Sequence, residues 1–173
     1  MKSSPFLKKK RSIRSSAMNA RPTKLPGSPK QNCQEKLLSE NGQRKTWQKP
    51  PVGFLKLNSD GSFFSDEKTG GWGFIIRDKN GEVIKAAAGK EDCILDAFHA
   101  ELLGVQAGLR MAINLGTTRL YIETDASLVK EAVEGGEYRQ AAMGGIVTEI
   151  KHLHSSEFLF SSIDVCPCVC ITY

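Results

Sequence analysis

The chain has 173 residues, a formal net charge of +5 and five cysteines. That length allows one folded domain with an appendage. No run approaches the roughly 18–20 apolar residues that a membrane helix needs, and the N-terminus lacks the apolar core of a secretory signal. The odd cysteine count, with Cys166, Cys168 and Cys170 crowded near the end, does not describe a disulfide framework.

The charge is unevenly spread. Residues 1–49 hold thirteen Lys and Arg against Glu35 and Glu40, a net of +11. Residues 50–173 hold eleven Lys and Arg against seventeen acids, a net of −6. Segment 1–49 is rich in Lys, Arg, Ser and Pro and has no sustained apolar period, so disorder is expected there. Lys8-Lys9-Lys10-Arg11 fits a nuclear-import signal or a nucleic-acid-binding arm. The nucleus is the expected compartment. Organelle and cytoplasm stay open, as does a solvated tail that no receptor reads. Trp47 and then Pro50-Pro51 lead into the folded part.

Phe54, Leu55 and Leu57 alternate with Lys56 and Asn58, which predicts a strand near 54–59, with Gly61 permitting a sharp exit. Gly70 to Asp78, aromatic and β-branched at its centre, predicts a second strand. Asp78-Lys79-Asn80-Gly81 is a turn signal, and Glu82 to Gly89 returns as a third strand. These three form an antiparallel meander. Phe98, Leu102, Val105, Leu109 and Ala112 then repeat at helical spacing, predicting a helix over 94–115 that Gly116 ends. Gly104 and Gly108, four apart, form a flat stripe suited to close approach to the sheet. Arg119 to Thr124 predicts a fourth strand. Leu128, Val129, Ala132 and Val133 predict a short helix, broken by Gly135-Gly136. A further helix falls near 141–155, and Phe158, Phe160 and Ile163 mark a fifth strand. The order β-β-β-α-β-α-α-β describes a mixed α/β fold.

Three acids stand out against this frame. Asp60 ends the first predicted strand, Asp125 ends the fourth, and Glu101 borders the sheet-facing side of the long helix. If the first and fourth strands are parallel neighbours, both aspartates emerge at one sheet edge, where α/β folds bind ligands. Carboxylates near a core are costly unless paired or bound to a cation. Mg²⁺ suits three such oxygens, and paired ions about 3.5–4 Å apart support phosphodiester hydrolysis. Ordinary roles remain open: Asp60 as a turn residue, Asp125 as a helix N-cap, Glu101 on a solvated helix edge. His99, His152 and His154 lack zinc-ligand spacing with the cysteines.

Four ordered segments carry a resemblance: 56–62 (Lys-Leu-Asn-Ser-Asp-Gly-Ser), 71–78 (Gly-Trp-Gly-Phe-Ile-Ile-Arg-Asp), 100–105 (Ala-Glu-Leu-Leu-Gly-Val) and 123–129 (Glu-Thr-Asp-Ala-Ser-Leu-Val). With them, residues of about 52–165 resemble a type-one ribonuclease H domain, in the divergent form common in plants and related to retroelement reverse transcriptases. Trp47 to Pro51 is similar to the lead-in of the plant form. The resemblance implies a ribonuclease H-like mixed five-stranded sheet flanked by helices, in a domain spanning 50–165. It implies Asp60, Glu101 and Asp125 as catalytic metal ligands in a two-ion Mg²⁺ or Mn²⁺ site. It implies cleavage of the RNA strand of an RNA–DNA hybrid by a monomer, with Gly61 and Ser62 bringing backbone amides to the nucleic acid.

The pattern departs at the C-terminus. Family members continue into a helix carrying a fourth acid, whereas here Asp164 falls inside the fifth strand and residues 166–173 form an atypical cysteine-rich tail. Truncation with impaired activity is the expectation. The alternatives are a catalytically inactive nucleic-acid-binding module and a nonfunctional product. The three tail thiols, alternating on an extended chain, suit a soft metal; a spliced or frame-shifted tail fits the abrupt loss of family pattern better.

Overall fold

The computed structural model describes residues 47–135 and 142–166. Segment 1–46 with its expected disorder and basic cluster, the first residue of the expected 141–155 helix, Gly136, Cys168 and Cys170 lie outside the described residues. The elements are β1 (Leu55–Phe64), β2 (Thr69–Arg77), β3 (Val83–Asp92), α1 (Ala97–Asn114), β4 (Arg119–Thr124), α2 (Ser127–Glu134), α3 (Gly144–Ser156) and β5 (Phe160–Val165). They follow the expected order.

The strands form one five-stranded sheet, β3-β2-β1-β4-β5. The β1–β2 and β2–β3 pairs are antiparallel; β1–β4 and β4–β5 are parallel. Alternate strand residues Leu57, Phe74, Ile76, Leu120, Ile122 and Ile163 meet α1 residues Leu102, Val105 and Leu109 in one core. Val129 of α2 and Ile150 of α3 complete it. Period-two alternation puts those strand side chains on one sheet face, which the helices cover. Burying each large side chain contributes about 1.5–3 kcal/mol.

Helix α1 lies flush on the sheet because Gly108 has no side chain: a Cβ there would overlap the Leu57 methyls. Its start is set by Asp96, whose carboxylate accepts a 2.8 Å hydrogen bond from the His99 amide. The helix therefore begins at Ala97 rather than at Ile94. At the other end Gly116 adopts φ +71° and turns the chain, as its position predicted.

Two strands outrun their sequence boundaries. The Gly61 exit does not occur: β1 continues to Phe64 and β3 to Asp92, because both stay paired with β2 through Thr69. The last strand begins at Phe160; Phe158 is buried just ahead of it.

The face of β1 opposite α1 is also covered. The polar residues Lys56 and Asn58 are 6% and 2% exposed. Lys56 Nζ lies 2.6 Å from Glu123 Oε1 on β4, and Asn58 Nδ2 donates to Glu123 Oε2 at 2.7 Å. Trp47 closes over this group. Its indole Nε1 donates to Asn58 Oδ1 at 3.2 Å, and Lys56 and Arg77 lie over its ring at 5.3 and 5.4 Å. A buried ion pair thus locks β1 to β4 in the register that positions the acids.

Candidate metal centre

The parallel β1–β4 ladder runs from Leu55↔Leu120 to Asn58↔Glu123. Asp60 lies two residues beyond its end on β1, still paired opposite Gly73 of β2, and Asp125 directly follows β4. Glu101 comes from the second turn of α1, which crosses beneath. One carboxylate oxygen from each of Asp60, Glu101 and Asp125 lies within 4.8 Å of the others. The three ordinary readings therefore fail. Asp60 sits within a strand rather than a turn. Ala126 rather than Asp125 is the N-cap of α2, and Glu101 is 7% exposed.

Glu101 is held at both oxygens. Oε1 accepts a 2.9 Å bond from the Gly61 amide of β1, and Oε2 accepts from the Thr124 hydroxyl of β4 at 3.4 Å. Position 61 must be glycine for this contact, since a Cβ would run into the backbone of Ala100 and Glu101. The electrostatics are unfavourable to three charges. Burial, then the neighbouring charges of Asp125 and Asp60, push Glu101 up to about 8. Burial and then Asp125 push Asp60 upward as well. Crowded hard-oxygen donors lacking a countercharge fit a divalent cation such as Mg²⁺ or Mn²⁺. Among the described residues this is the acidic cluster with metal-ligand spacing.

The sequence bears out that reading of the fold. The reverse transcriptase-like family matches residues 58–165, well over half of the chain. The chain belongs to that family, and its folded part is a ribonuclease H-like domain. RNase H1 from Halobacterium salinarum NRC-1 superposes with a TM-score of 0.61 at 16% identity, covering 66% of this chain and 86% of that one. The N-terminal RNase H domain of a Mycobacterium tuberculosis protein, solved as a fusion with maltose binding protein, gives 0.61 at 20% identity, covering 66% and 83%. LC11-RNase H1 in complex with an RNA/DNA hybrid gives 0.60 at 13% identity, covering 66% and 86%. No curated protein matches the sequence.

Within this ribonuclease H-like domain, Gly61 and Ser62 line a shallow groove of about 180 Å³ with Asp60, Gly71, Trp72, Gly73 and Ala88. Gly71 and Gly73 lie opposite Ser62 and Asp60 in register, so no side chains stand there to fill the surface beside the carboxylate. Asp164 stays apart: it lies on β5 and ion-pairs with Lys130 at 2.9 Å. Cys166 is brought near β4, its amide donating to the Thr124 carbonyl at 2.9 Å. Sequence reasoning missed Thr124 and the glycine pair of β2. The available signals were a β-branched hydroxyl immediately before a suspect acid and two glycines inside a strand pattern.

Proposed function

We propose that this domain binds RNA–DNA hybrids and hydrolyses their RNA strand with the help of divalent cations. The observation that carries the reading is the convergence of Asp60, Glu101 and Asp125 at the C-terminal end of two parallel strands, beside an open groove. Asp60, Glu101 and Asp125 would hold two Mg²⁺ or Mn²⁺ ions, which supply Lewis acidity toward a phosphodiester when bound. The chain's own residues prepare that site. Gly61 N–H and the Thr124 hydroxyl fix the Glu101 carboxylate, while the bare strip at Gly71 and Gly73 lets a sugar–phosphate backbone approach Asp60. The Gly61 amide, expected to reach the nucleic acid, is instead given to Glu101; Ser62 lines the groove where it would meet the strand to be cut, and 2′-hydroxyl contacts separate RNA from DNA. A protein of the same fold is solved with an RNA/DNA hybrid, which supports this choice of substrate.

A second reading is a hybrid-binding module that does not cut. It is favoured by a cluster of three acids without a fourth among the described residues, Asp164 being engaged by Lys130. Asp60→Asn tests the first reading. It keeps the side-chain shape, so hybrid binding and cooperative unfolding are expected to persist while cleavage disappears. Continued cutting by the variant would sink the assignment. Tight binding without cutting by the unaltered chain would establish the second reading.

A further inference from the structure

Thr124 joins two carriers of the acidic cluster at one atom, the helix that bears Glu101 and the loop that bears Asp125. It is fully buried at the end of β4, one residue before Asp125. Its Oγ1 accepts a 3.2 Å hydrogen bond from the Ala126 amide, so the loop carrying Asp125 is folded around it. Its remaining contact is with Glu101 Oε2 at 3.4 Å. A hydroxyl has one proton to donate. With Ala126 N–H directed at an oxygen lone pair, that proton is aimed at Glu101. The backbone carbonyl of the same residue accepts from Cys166, which ties this end of β4 to the end of β5.

The other Glu101 oxygen is held by Gly61 N–H, next to Asp60. The glutamate therefore takes one bond from each of the two strands that bear its partners. Side-chain rotation of Glu101 would break one bond or the other.

We propose that Thr124 is a positioning residue of the metal centre, its hydroxyl fixing the Glu101 carboxylate in the orientation that gives the triad its divalent-cation affinity. This inference rests on the reading of the triad as a cation site, but not on any particular substrate. Groups of this kind behind ligands change metal affinity by about 10–100-fold when removed.

The test compares Thr124→Val, which keeps shape and loses the hydroxyl, with Thr124→Ser, which keeps the hydroxyl. Mn²⁺ alone is titrated calorimetrically into the full-length chain, and melting temperature is followed alongside. The valine variant is expected to bind Mn²⁺ about tenfold or more weakly, and the serine variant within about threefold of the unaltered chain. On hybrid substrate, the Mn²⁺ concentration for half-maximal rate should move with the valine substitution while KM for the hybrid stays in place. Equal Mn²⁺ affinity in the valine and unaltered chains overturns the proposal. Equal weakening by valine and serine also overturns it, since packing rather than the hydroxyl would then matter. If the valine variant does not fold, Thr124→Cys, of similar volume with only a weak donor, takes its place. Binding by the cysteine variant as tight as by the serine variant counts against the hydroxyl. No Mn²⁺ binding by the unaltered chain removes the triad reading and this proposal together. Hydroxyl-dependent Mn²⁺ binding without hybrid cleavage removes the nuclease reading alone.

Discussion

Replacing Glu101 by glutamine keeps the side chain's shape and removes the charge that burial and two neighbouring acids oppose. The folded chain holds this carboxyl up to about 8, against an ordinary value of 4.5. Between those values the folded state keeps a proton that the unfolded state has lost. The stability contributed by this group is therefore complete below about pH 4.5 and is lost as pH rises through about 8. At about 1.4 kcal/mol per pH unit, the loss is on the order of 5 kcal/mol. Urea unfolding in EDTA from pH 5 to 8.5 reads it directly. The unaltered chain should lose several kcal/mol over that range, and the Glu101→Gln chain should lose much less and be the more stable at pH 8.5. Lys130, raised by its bond with Asp164, stays charged throughout this range, and two other shifted groups bear on it. Asp60, raised by burial and Asp125, acts with the same sign as Glu101. His154, lowered by burial, acts oppositely and gains stability as pH rises toward its unfolded value. Both remain in the variant, so the difference between the two curves reports Glu101 together with its coupling to Asp60. Saturating Mg²⁺ should flatten the curve of the unaltered chain, because a cation replaces the proton. Parallel curves for the two chains, or a flat curve without metal, would refute the reasoning.

Other regions give sharper stability tests. Lys56→Met leaves the Glu123 charge held by Asn58 alone of this pair, and should cost about 3 kcal/mol in urea unfolding. Adding Glu123→Gln should recover most of that loss; a double variant no better than the single one would contradict the pairing. Gly108→Ala gains about 1 kcal/mol of helix propensity but forces Leu57 aside at about 1–3 kcal/mol. A net loss of about 1 kcal/mol is expected, and a gain would mean that α1 stands off the sheet.

What was legible in the chain was local or periodic. The helical spacing of Leu102, Val105 and Leu109 and the Gly104–Gly108 stripe gave both α1 and its close approach to β1. The acids were legible because carboxylates bordering apolar strands need a reason. What was hidden depended on distant partners. Lys56 and Asn58 read only as the polar positions of an alternating strand, and what buries them is Glu123, more than sixty residues away, and Trp47. Gly61 read as a strand exit. The β2 ladder carries β1 past it, and the position is glycine because α1 passes against it. Ile94 extended the helical period on paper, whereas Asp96 supplies the cap and Ile94 packs against Gly70 instead. Thr124 had no signal beyond its place beside Asp125, since its role comes from an atom on another element.

The central claim is that the triad serves hydrolysis of RNA paired to DNA. The most direct measurement follows both strands of one hybrid, each carrying its own label, with the full-length chain in Mg²⁺, in Mn²⁺ and in EDTA, beside single-stranded RNA. The account predicts cutting of the RNA strand that requires the cation, spares the DNA strand and is absent on RNA alone. An intact hybrid in both metals, with the protein cooperatively folded and binding it, would contradict that claim.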